Sequence, residues 1–161
     1  MNRQGSQADK IYLKPGELVI MDESMIVTTI LGSCISVTMF HPQTGNAAIC
    51  HAMMPHGCGS VSFKYVDTSI NHMVKYFVHR KVKPEEIQVK LFGGADMFKN
   101  VDSVVHNLSV GQQNIAVAAN CLKSYGIVPI ASDLGGRKGR KLVFKTDSGI
   151  VFIKKQTDQH W

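Results

Sequence analysis

Short apolar runs separated by polar turns dominate the first third of the chain. The runs at 25–31, 34–40 and 46–54 are rich in β-branched and other apolar residues, and they predict three consecutive strands. Pro42 and Gly45 stand in the polar stretch between the second and third runs, which predicts a hairpin there. Upstream, Pro15-Gly16 predicts a turn and 18–21 a short strand, while the polar residues 1–10 predict a loose tail. Further on the period changes. Ile70, Met73, Val74, Phe77 and Val78 fall at helical spacing, so a helix is expected over 67–81, with Asp67 or Thr68 as its cap. Residues 87–92 (IQVKLF) alternate as a strand that Gly93-Gly94 ends, and 99–110 carry no period and read as a loop. A second helix over 111–125 presents Ile115, Ala118, Ala119 and Leu122 on a narrow face, with Gly126 just past its end. Strands are expected at 127–132, 141–145 and 150–154, the last two joined by the turn residues Thr146-Asp147-Ser148-Gly149. Two helices and about seven strands in runs predict an α+β architecture with a mainly antiparallel sheet packed by helices.

Composition narrows the class. A chain of 161 residues with 44% hydrophobic and 19% charged residues reads as one globular domain spanning 1–161. No run approaches the roughly 18 apolar residues of a membrane span. The polar start MNRQGSQADK lacks the apolar region of a secretion signal, so a cytoplasmic location is the expectation and the four Cys are read as thiols. The net charge of +6 is concentrated late, at Arg137, Lys138, Arg140, Lys141, Lys154 and Lys155. That cluster is compatible with an acidic partner or with a solvated loop, and the lack of an aromatic-rich nucleic-acid motif argues against nucleic acid.

Candidate chemistry centres on Cys34 and His51. The hairpin would fold the segment carrying His51 back beside the segment carrying Cys34, and an imidazole beside a thiol can take its proton and make it a nucleophile. Gly32-Ser33 ahead of Cys34 are small and turn-prone, which places the thiol at a strand end with backbone N–H groups nearby for an oxyanion. Cys50 is the poorer candidate because it neighbours His51, and adjacent strand residues point to opposite faces. The same argument counts against zinc at Cys50, His51, His56 and Cys58, which also lack a C-x-x-C pair. The Gly-rich loop 56–60 is expected to border the cleft instead. His72 and His79 lie off the apolar stripe and are expected in solvent. Gly93-Gly94 fit either a cleft wall or a plain turn.

The segments TTILGSCISV (28–37), AICHAMMP (48–55), KLFGGADMF (90–98), VGQQNI (110–115) and YGIVPIASDLGGRKGRK (125–141), followed by the closing strand pair, together resemble the CheD family of chemoreceptor glutamine deamidases. The resemblance implies an α/β fold, a layered α/β/β sandwich with mainly antiparallel strands, similar to the deamidating domain of cytotoxic necrotizing factor toxins. It implies a Cys nucleophile at Cys34, a base at His51 and an orienting Thr at Thr28, with Gly32 and Ser33 in the substrate or oxyanion vicinity and no cofactor or metal. It also implies methyl-accepting chemoreceptors as substrates and a CheC-type phosphatase as regulator, with 135–141 as a possible contact, and neither nucleic-acid binding nor membrane insertion. Two other classes compete with this reading. One is another cysteine hydrolase, such as a peptidase or transglutaminase-like enzyme using the same pair. The other is a non-catalytic adaptor or basic binding module, which would be indifferent to Cys34→Ala.

Overall fold

The computed structural model describes residues 7–97 and 107–157, so the expected loop at 99–110 lies mostly outside the described residues. The strands are β1 (Asp9–Tyr12), β2 (Leu18–Met21), β3 (Met25–Leu31), β4 (Ile35–Phe40), β5 (Ala47–Cys50), β6 (Gln88–Gly93), β7 (Ala131–Leu134), β8 (Arg140–Lys145) and β9 (Ile150–Lys155). The helices are α1 (Val66–His79) and α2 (Val110–Ser124). One sheet has the order β2-β5-β4-β6-β7 and the other β1-β3-β8-β9. Pairing is antiparallel except between β1 and β3 and between β6 and β7. Among the described residues no helix is long and apolar enough to cross a membrane.

The layers follow from which faces are apolar. Every residue of β4 and β5 is buried, the pattern of strands covered on both sides. Ile35, Val37, Met39, Ala48 and Cys50 join a core with α1 and α2. Phe40, Ala47 and Ile49 join a second core with Val27, Leu31, Leu142 and Phe144 of the other sheet. Helices, five-stranded sheet and four-stranded sheet therefore stack in three layers, as the family resemblance implied. The outer face of the four-stranded sheet is open. It carries the cross-strand row Tyr12, Thr28, Val143 and Phe152, of which Tyr12 and Phe152 are exposed.

Several expectations from sequence need correction. The polar start is not all tail, because Asp9 and Lys10 belong to β1, which pairs with Met25 to Thr28. Its four residues, DKIY, are too few to show a period. Val78 is exposed, and Val66 and Ser69 complete the buried face of α1 instead. The strand expected at 127–132 is shifted to Ala131–Leu134; Pro129 carries no N–H for a ladder, so regular pairing begins beyond it. Arg140 is not part of an exposed basic cluster. It is buried and donates to the carbonyls of Asp133 and Gly135 and to the Asp133 carboxylate. Arg137, Lys138, Lys141, Lys154 and Lys155 are exposed.

Gly93 holds the sheet to the Cys34 turn. Its φ is 109°, and a Cβ there would lie 2.1 Å from the Cys34 carbonyl oxygen, so only glycine allows the two backbones to approach. Gly93→Ala is accordingly expected to lower stability by about 1–3 kcal/mol through strain and overpacking. Urea unfolding checks this, and an unchanged midpoint would contradict it.

Candidate active site

Gly32, Ser33 and Cys34 form the turn between β3 and β4, and the carbonyl of each is tied down. Ala95 N donates to Gly32 O at 2.9 Å, Asn114 Nδ2 to Ser33 O at 3.0 Å, and Gly94 N to Cys34 O at 2.9 Å. The N–H of Cys34 lies against its own thiol and donates to no other group among the described residues. Ser33 and Cys34 line a cleft of about 450 Å³, whose walls come from Met53 and Met54, from Ala95 to Met97, and from Ser109, Val110 and Gly111 at the start of α2. Gly93-Gly94 thus lead into a cleft wall, and both have positive φ. A Cβ on Gly111 would sit 2.6 Å from the carbonyl oxygens of Gly94 and Ala95, so glycine lets the first turn of α2 press onto this wall.

His51 is reached by continuing the β4–β5 register. Thr38 pairs with Ile49, and the Ile35–Ala52 bridge carries the pairing past the end of β5. Ser36 then lies opposite His51, and Cys34 opposite Met53. Cys34 packs against the core between the sheets, whereas Ile35 and Cys50 belong to the helix core. Cys34 and His51 are therefore diagonal neighbours on one face, and Cys50 is on the other, as expected from alternation.

The hydroxyl that meets His51 belongs to Thr29, not Thr28. Thr29 Oγ1 lies 2.7 Å from His51 Nδ1 and 2.7 Å from the Leu13 carbonyl oxygen. Thr28 points the other way, into the outer row with Tyr12 and Phe152. The physical reason is the strand period: Val27, Thr29 and Leu31 are the buried positions of β3. A hydroxyl has one proton, and a carbonyl can only accept. Thr29 therefore donates to Leu13 and accepts from His51 Nδ1–H, which leaves Nε2 as the bare nitrogen able to take a proton.

Burial sets the electrostatics of the pair. It raises the Cys34 thiol above its ordinary value of 9.0, and the thiol's own backbone N–H offsets this in part. It lowers the His51 imidazole below 6.5, with the Leu13 backbone and the Glu17 charge opposing. Near neutral pH both groups are thus uncharged, and the thiol is not held as a resting thiolate. Cys50, wholly buried, is pushed up to about 12.

All four cysteines are free thiols. Buried Cys50 and exposed Cys58 lie in different surroundings, which does not suit a shared metal. The loop 56–60 does not line the cleft. Gly57 N donates to Asp67 at the start of α1, and Thr68 Oγ1 donates to Ser60 O. His72 and His79 are exposed.

Sequence reasoning missed Thr29 and Asn114. Thr29 was legible from the alternation of β3. Asn114 shares the buried face of α2 with Gly111, Ala118 and Leu122, a helical spacing that a search for apolar residues alone passes over.

Comparison with known proteins adds an independent line. A family profile described as CheD chemotactic sensory transduction matches residues 53–155. A Geobacter sulfurreducens protein named "Probable chemoreceptor glutamine deamidase CheD 2" is 44% identical over 145 residues, 90% of this chain and 89% of that one. Proteins named "Probable chemoreceptor glutamine deamidase CheD" from Maridesulfovibrio salexigens and Thermococcus kodakarensis are each 34% identical. The first alignment covers 96% of both chains, and the second 87% of this chain and 89% of the other. Among solved structures, YlmD from Geobacillus stearothermophilus matches with a TM-score of 0.50 at 13% identity, over 96% of this chain and 72% of that one. The Bacillus licheniformis hypothetical protein YfiH gives the same score and identity over 72% of this chain and 49% of that one. At such identity these two speak to the fold alone.

The hydrogen-bond pattern has a spectroscopic consequence. Nitrogen-15 NMR is expected to find His51 protonated at Nδ1 with a titration midpoint below 6.5. Thr29→Val should shift that signal and Thr28→Val should leave it in place; the reverse outcome would return the orienting role to Thr28.

Proposed function

This chain belongs to the CheD family, and on that premise we propose that it is a protein-glutamine deamidase that converts Gln side chains of chemoreceptors to Glu with release of ammonia. Cys34 is the nucleophile, His51 the general base and acid, and Thr29 the residue that orients the imidazole. Family membership supplies the substrate class. The observation that carries the residue roles is the Leu13–Thr29–His51 chain, which leaves Nε2 bare on the face that Cys34 shares.

The chemistry runs in two halves. His51 Nε2 takes the Cys34 proton as sulfur attacks the carboxamide carbon, and the oxyanion forms against the Cys34 N–H. The imidazolium then protonates the departing nitrogen, so ammonia leaves and a thioester remains. In the second half His51 takes a proton from water, hydroxide adds to the thioester, and the thiol leaves with that proton. The sum is Gln plus water giving Glu plus ammonia. Since burial favours the uncharged pair, the thiol is activated at the moment of attack. The exposed methionines Met53, Met54 and Met97 around the cleft supply an adaptable apolar rim for a peptide segment. A CheC-type phosphatase as regulator and a cytoplasmic location belong to the same proposal and rest on family membership.

Mass spectrometry of a chemoreceptor fragment incubated with the enzyme is expected to show a gain of about one mass unit at specific Gln residues. The gain should vanish with Cys34→Ala. Backbone cleavage or amine transfer in its place would favour another cysteine hydrolase, and activity surviving Cys34→Ala would remove the thiol from the mechanism.

The pH dependence has a definite sign. The base must be neutral, and His51 is held below its ordinary value. kcat/KM should therefore hold steady through neutral pH and fall only as pH drops through a midpoint below 6.5. An acid limb centred above that value would contradict the assignment of the base.

A further inference from the structure

Asn114 is fully buried in the second turn of α2. Its Nδ2 donates to two backbone carbonyls, Ser33 O and Met53 O, each at 3.0 Å. Two acceptors at that nitrogen fix which end of the amide faces them, because only the NH2 group can donate. Its Oδ1 is buried with no hydrogen-bond partner, an arrangement that costs free energy. A residue kept there for packing alone would be apolar. The two carbonyls have a specific location. Ser33 immediately precedes Cys34. Met53 lies opposite Cys34 and two residues beyond His51, and both Ser33 and Met53 line the cleft.

The peptide between Ser33 and Cys34 is trans, as are all the described bonds, so its C=O and N–H point in opposite directions. Tying Ser33 O to the helix turns the Cys34 N–H away from the helix, toward the thiol side. On the deamidase reading given above, that N–H is the oxyanion donor. We propose that Asn114 is a positioning residue for the reaction: its amide fixes the Ser33–Cys34 peptide so that the Cys34 N–H meets the developing oxyanion, and it clasps together the two strand ends that carry Cys34 and His51. It touches neither substrate nor the reacting atoms.

Two rates measured on the full chain separate this role from a structural one. The first is ammonia release from a Gln-containing chemoreceptor fragment. The second is alkylation of Cys34 by iodoacetamide, followed at the Cys34 peptide by mass spectrometry; this displacement needs the thiol but forms no oxyanion. Asn114→Ala is expected to lower kcat by about 10- to 100-fold, less than outright loss of an oxyanion donor. KM and the Cys34 alkylation rate should both stay within about twofold, well inside the effect on kcat. Asn114→Ser, which keeps one donor, should fall between Asn114→Ala and wild type, and it carries the same comparison if Asn114→Ala does not fold. An unchanged kcat overturns the proposal, as does a fall in alkylation that matches the fall in kcat, since that marks a general loss of structure. A wild-type enzyme that alkylates normally yet releases no ammonia overturns the deamidase reading itself, which is a different outcome.

Discussion

The central sheet is covered on both faces, and this constraint organises the rest of the molecule. β4 and β5 have no solvent side, so nearly all of their residues are apolar, and residue parity alone decides which layer each enters. Cys50 goes to the helices and becomes an inert, wholly buried thiol. His51, one residue later, goes to the layer between the sheets, where a polar ring can survive only if something meets it. Thr29 does so, because the alternation of β3 across the same layer turns that hydroxyl inward and sends Thr28 outward.

The hydrogen-bond chain Leu13–Thr29–His51 ties the chemistry to the edge of the fold. Leu13 follows β1, and β1 is held by parallel pairing with β3. Leu13, just past a strand whose first residues read as tail in the sequence, thus supplies the carbonyl that orients the Thr29 hydroxyl, and through it the imidazole tautomer. Burial then acts on both reacting groups in the same sense, disfavouring charge on the thiol and on the ring. On the proposed mechanism its readiness lies in the orientation of Nε2 and of the Cys34 N–H.

The cleft depends on close backbone approach. Gly93 lets β6 touch the Cys34 carbonyl, and Gly111 lets the first turn of α2 press against the carbonyls of Gly94 and Ala95. A larger side chain at Gly111 would push α2, and with it Asn114, away from the cleft wall, and one at Gly93 would part β6 from the Cys34 turn. The helix layer therefore positions the turn that bears Cys34, although the side chains of Cys34 and His51 face the layer between the sheets.

The sequence by itself determined most of the elements and singled out the pair proposed to react. Apolar periodicity placed β2, β3, β4, β6, β8, β9 and both helices close to their observed bounds, because each buries a face of its own and must show it in its spacing. Cys34 and His51 were legible because a hairpin is a local device, and its two arms meet whatever the rest of the chain does. The three-layer stack and Thr28 entered through family likeness; the stack held, and the hydroxyl against His51 is that of the next residue, Thr29. Only the tertiary structure decided what depends on partners that folding brings together. It showed that β1 is a strand, that Arg140 is buried against Asp133, that Thr29 and not Thr28 meets the imidazole, and that Asn114 reaches from α2 to Ser33 and Met53. The physical reason is shared: β1 is a strand only through its pairing with β3, and the other three cases are polar side chains in buried layers. A polar residue in a buried layer is specified by the group it bonds, and that group is brought to it only when the layers close.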